Sequence, residues 1–122
     1  MKWIADALVV VVAVEHLWFL VLEMFLWTKP AGLRTFRMSF EQAVASASLA
    51  ANQGLYNGFL AAGLLWGLLV GPPAFAVSIK TFFLSCVVVA GLFGARTVSL
   101  RILVVQALPA ALALAAVLGS RP

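Results

Sequence analysis

The chain has 122 residues, of which 65% are hydrophobic and 10% charged, and its mean hydropathy is +1.13. Soluble domains carry about 25% charged residues, so this composition leaves too little polar surface to face water and excludes an ordinary soluble domain. The net charge of +4 is no nucleic-acid signal, because most of the basic residues flank apolar runs, and a single cysteine, Cys86, excludes an intramolecular disulfide and a multi-thiolate metal site.

Four long apolar blocks stand at 3–27, 46–70, 74–95 and 102–119. Each is near the roughly 20 residues that a helix needs to cross about 30 Å of hydrocarbon. A barrel would need short alternating segments, whereas these runs are continuous and rich in Leu and Ala. The predicted fold is therefore all-α: one transmembrane domain over 1–122, an integral membrane four-helix bundle with an interfacial segment between its first two helices.

Lys2 precedes the first block, but no small-residue cleavage site follows, and the run continues through Phe19, Leu20, Phe25 and Leu26 to Trp27. That is too long for a signal peptide, so the block is read as a spanning helix or signal anchor, with Trp3 and Trp27 as interfacial anchors. It carries Asp6, Glu15, His16 and Glu23. Ionisable groups in a span cost roughly 2.5–3.5 kcal/mol each on insertion scales, so each needs a reason. At about 100° per residue, His16 and Glu23 lie about 20° apart around the helix and Glu15 about 100° from His16, which makes one broad polar face.

The connection over 28–45 mixes Lys29, Arg34 and Arg37 with Leu33, Phe36, Met38 and Phe40, a pattern suited to the lipid–water interface. Ser39 and Gln42 have the spacing of a capping box and predict a helix starting near Phe40. In the second block Asn52 and Tyr56, and likewise Gln53 and Asn57, stack at i,i+4. Gly54, Gly58 and Ala62 form a small-residue ridge, which suits either close packing within one subunit or a homodimer.

Gly71-Pro72-Pro73 ends the second helix and starts the third. The third block holds Lys80 and Cys86, the latter read as an inert buried thiol. In the fourth, Gln106 is the only strongly polar residue of the span. Counting Lys and Arg, the first and third connections carry five (Lys29, Arg34, Arg37, Arg96, Arg101) and the opposite side two (Lys2, Arg121). The bias predicts both termini outside the cytoplasm.

Depth, taken from the centre of each block, places Glu23, Asn52, Gln53 and Gln106 in the cytoplasmic half and Glu15, His16 and Asn57 near the midplane. Asp6 and Lys80 fall in the outer half, where they are expected to form an ion pair of structural character. Glu15 and His16 cannot reach water by snorkelling from the midplane, and a carboxyl beside an imidazole suits proton transfer. They are the candidate catalytic pair. Glu23, Asn52, Gln53, Tyr56, Asn57 and Gln106 are candidate ligand-binding residues around them. The plainer alternatives are interhelical hydrogen bonds for the amides, worth about 0.6 kcal/mol each, and snorkelling for Glu23. No metal or other cofactor is expected: His16 and Glu23 stand about 10 Å apart along the helix, with no further His or Cys at ligand spacing.

The run Ala50-Ala51-Asn52-Gln53-Gly54-Leu55-Tyr56-Asn57-Gly58-Phe59-Leu60-Ala61-Ala62-Gly63 resembles the signature of DUF1304, a bacterial membrane family labelled only as a domain of unknown function. Glu15-His16, Leu22-Glu23-Met24-Phe25-Leu26-Trp27 and Val104-Val105-Gln106-Ala107-Leu108-Pro109-Ala110 are similar to it as well. The resemblance covers essentially the whole chain and implies a compact four-helix protein of a bacterial inner membrane, with no activity or cofactor attached. Three functional readings stand. The first is binding or acid–base conversion of a small, partly apolar molecule taken from the lipid phase. The second is proton-coupled transport by a dimer, since small four-helix exporters share the layout of a glutamate midway along the first helix. The third is a structural or accessory subunit whose polar groups pair only with one another.

Overall fold

The computed structural model describes residues 1–121. They form helices α1 (Lys2–Met24), α2 (Pro30–Phe36), α3 (Phe40–Leu69), α4 (Pro73–Thr97), a π-helical turn (Leu103–Ala107) and α5 (Leu108–Gly119), with no strand among the described residues. The fold class is all-α. By length and composition α1 and α4 are apolar enough to cross a membrane. α3 is longer than either, but Asn52, Gln53, Tyr56 and Asn57 interrupt its apolar run.

The helix ends follow from local chemistry. At the start of α3 the Gln42 N–H donates to Ser39 Oγ at 3.2 Å and the Ser39 N–H to Gln42 Oε1 at 2.9 Å, so two otherwise orphaned donors are satisfied reciprocally. Pro30 and Pro73 open α2 and α4, where a missing N–H leaves no bond unmade. α2 ends at Arg37, whose φ of 52° and ψ of 51° are left-handed; among the described residues no other non-glycine residue has positive φ. The fourth block is not one continuous α-helix. Pro109 lacks the N–H that would bond Val105, and its ring would strike that carbonyl in a regular helix. Widening the preceding turn is one way to make room, and Leu108 N–H accordingly donates to Leu103 O, five residues back.

The residue contacts divide the chain into two compact units, Met1–Val14 with the chain from Leu60 onward, and Glu15–Phe59. In the first, Val9, Val12 and Ala13 of α1 bury with Leu64 of α3, Leu84 and Val87 of α4 and Ala110, Ala113 and Val117 of α5. The alanines let backbones come close. Gly91 of α4 packs against the Ala107 backbone, where a Cβ on the glycine would stand 2.8 Å from the Ala107 nitrogen.

In the second unit, Leu22, Ala43, Ala50 and Gly54 are buried. Trp27 Nε1 donates to Ser46 Oγ at 3.1 Å, and its ring lies 4.7 Å from that of Phe36. This ties the end of α1 to both α2 and α3. Gly32 sits directly beneath the Leu26 and Trp27 carbonyls, with no space for a Cβ. α2 therefore lies hard against the chain that leaves α1.

Candidate functional site

Within the second unit, α1 meets α3 through the small-residue ridge. A Cβ on Gly54 would stand 2.6 Å from Met24 Cγ and 3.1 Å from Glu23 Cβ, and one on Gly58 would stand 2.7 Å from Leu20 Cδ1. Gly54 and Gly58 thus serve close packing inside the subunit, one of the two uses open to the ridge. Ala62 lies exposed in the other unit.

This packing sets which polar groups meet. Asn57 Nδ2 donates to Glu23 Oε1 at 2.7 Å, and Glu23 is only 9% exposed. Block midpoints place Asn57 at the depth of Glu15; the structure sets it against Glu23, eight residues on, a displacement of about 12 Å at 1.5 Å per residue. Small residues notched against Leu20 and Met24 determine the register here, and the centres of apolar runs do not.

His16 is completely buried, with the ring of Phe19 edge-on at 5.3 Å. Glu15 beside it is partly exposed, yet its Oε1 is buried and has no hydrogen-bond partner. Buried polar atoms are nearly always satisfied, so this oxygen stands out. Asn52, Gln53 and Tyr56 are exposed on α3, with the Tyr56 ring 5.9 Å from Phe59. They stand on a different face of α3 from Gly54 and do not line the contact with Glu23.

In the first unit Lys80 Nζ donates to Asp6 Oδ1 at 2.7 Å; the lysine side chain is 5% exposed and the aspartate 32%. The Lys80 stem runs across Gly67, where a Cβ would stand 2.7 Å from Lys80 Cγ. Gln106 lies half-buried within the π-turn of this unit. A shallow open depression lined by Ala74, Val77, Ser78 and Arg121 contains none of the candidate residues. No group of three or more His, Cys, Asp or Glu side chains able to hold a metal stands together among the described residues.

Sequence reasoning missed three features. Thr81 Oγ1 is a second buried polar atom without a partner, and nothing but adjacency to Lys80 points to it. The π-turn around Gln106 has one visible signal, Pro109. The left-handed Arg37 has none, since glycine or asparagine is the usual residue there.

These elements define an all-helical protein with two helices long and apolar enough to cross a membrane and with charged side chains buried in its interior. A family model described as "Protein of unknown function (DUF1304)" matches residues 10–118, and the chain belongs to that family. The match spans every run on which the resemblance was drawn. No curated protein and no solved structure matches the chain.

Proposed function

We propose that the protein is a multi-pass integral membrane protein of the bacterial inner membrane, both termini outside the cytoplasm, in which Glu15 and His16 handle a proton for a small, partly apolar molecule drawn from the lipid phase. Membrane residence is supported by the surface of the two apolar helices. Only 28% of the apolar window of each is buried inside the chain. Val11, Val14 and Trp18 of α1 and Phe82, Val89 and Phe93 of α4 are all at least half exposed. So much exposed apolar surface calls for lipid or a partner.

The observation that carries the site is the unpartnered Glu15 Oε1 next to the buried His16. A carboxyl with one open acceptor position accepts a hydrogen bond, or a proton, from an entering hydroxyl or amine. The Glu23–Asn57 pair holds α1 against α3 and so fixes the helix that presents Glu15; it positions the site and does not touch the ligand. Dimeric proton-coupled transport is the second reading, favoured by the exposed Asn52, Gln53 and Tyr56, polar groups that a second copy would shelter from lipid.

Gentle extraction with native lipid, followed by mass spectrometry of co-purified small molecules, tests the site with Glu15→Gln as control. A defined molecule that disappears in the variant is the expected result. A wild-type protein that carries nothing would sink the proposal. Proton-driven uptake into vesicles that depends on Glu15 would favour the transporter.

A further inference from the structure

The polar chemistry of the second unit is not confined to Glu15 and His16. Around α2, Lys29, Arg34 and Arg37 are all exposed, and none makes an ion pair among the described residues. Of the two acids that bracket the segment, Glu23 is buried against Asn57 and Glu41 sits in the first turn of α3, where the helix dipole already favours a negative charge. Among the described residues, no carboxylate pairs with any of the three cations.

Arg37 is held at a backbone conformation that side chains other than glycine and asparagine rarely adopt. Its N–H donates to Leu33 O, and the Met38 N–H reaches the same carbonyl at 3.2 Å, so the left-handed residue is built into the end of α2. A glycine would make the same turn without strain. What the arginine adds is an exposed guanidinium at the end of α2, and strained backbone of this kind points toward a use for the side chain. The platform is firm: Gly32 clamps α2 beneath the Leu26 and Trp27 carbonyls, and Trp27 is tied to Ser46. Near these cations in the chain, Phe25 is 66% exposed and Phe40 56% exposed.

We infer that Lys29, Arg34 and Arg37 form a recognition site for the phosphate headgroup of an anionic phospholipid, with the exposed phenylalanines against its acyl chains. The guanidinium fork matches phosphate oxygens, and a basic segment flanked by apolar rings suits a lipid better than a free anion. This rests on the membrane reading but not on the Glu15 site.

The test titrates dioleoyl phosphatidylglycerol, dioleoyl phosphatidylcholine or inorganic phosphate into the full chain in detergent micelles and follows thermal unfolding. Phosphatidylglycerol is expected to stabilise the protein more than phosphatidylcholine, and phosphate alone to do little. Each cation removed is expected to weaken apparent phosphatidylglycerol affinity about fivefold. Arg37→Gly is the discriminating variant: it should raise the lipid-free unfolding temperature while losing that affinity. Arg34→Gln reads the same loss without touching the turn. Equal stabilisation by the two lipids, full affinity in Arg37→Gly, or a shift reproduced by inorganic phosphate would each overturn the inference. Alkaline extraction of cell membranes separates the two levels. A chain that stays in the membrane fraction without preferring the anionic lipid removes this inference only, whereas one released at alkaline pH removes the membrane reading with it.

Discussion

The two units handle polar groups in opposite ways. The unit built from Met1–Val14 and the chain from Leu60 onward buries an apolar core and matches its one deeply buried charge, Lys80, with Asp6. Its unpartnered atom, Thr81 Oγ1, belongs to a neutral hydroxyl. The Glu15–Phe59 unit buries a histidine and a glutamate in a smaller core and leaves one oxygen of a second glutamate unmatched. The first unit matches its buried charge from within. The second leaves a buried carboxyl oxygen unmatched, the feature on which the proposed site rests.

The contrast is broken most severely in the first unit. Lys80→Met strips Asp6 of its partner and is expected to destabilise the protein by about 3 kcal/mol in detergent unfolding. Adding Asp6→Leu to that variant should recover most of the loss, because a well-packed apolar pair replaces an ion pair at little cost. Gly91→Val drives a side chain into the Ala107 backbone and should cost about 2 kcal/mol, read in the same assay.

Smaller effects sharpen the other side. Asn57→Ala leaves the buried Glu23 carboxyl without its donor, and a loss of about 1.5 kcal/mol is expected. Glu15→Gln should change unfolding by less than about 0.5 kcal/mol, since Oε1 makes no hydrogen bond to lose. It should nonetheless abolish capture of the co-purified molecule. A large stability change in Glu15→Gln would show that this oxygen contributes to the fold after all.

The helices are legible in the sequence because long apolar runs and the Ser39/Gln42 spacing act locally. Lys80 and Asp6 are visible as the two charges of opposite sign in the same half of their blocks. Partner choice between α1 and α3 is not legible to the same degree. Midpoints of apolar runs measure depth to within a turn or two, whereas Gly54 against Met24 and Gly58 against Leu20 set the register to a single residue. Likewise Pro109 announces a disturbance in the last helix, but widening the turn is a response that depends on the whole packed neighbourhood, including how closely Gly91 approaches Ala107. Arg37 shows the limit most clearly. Its conformation is set by the ends of α2 and α3, and nothing in an arginine announces it.

The length of α3 has a consequence of its own. At 1.5 Å per residue its 30 residues extend about 45 Å, against about 30 Å of hydrocarbon in an average bilayer. In the membrane proposed for it, the surplus of about 15 Å must stand among the headgroups or be absorbed by tilt, and each has an energetic cost that changes with acyl-chain length. Glu23 of α1 accepts a hydrogen bond from Asn57 of that same helix, so a tilt set by bilayer thickness is passed to the helix that carries Glu15. Thin and thick membranes should therefore not be equivalent hosts for this protein.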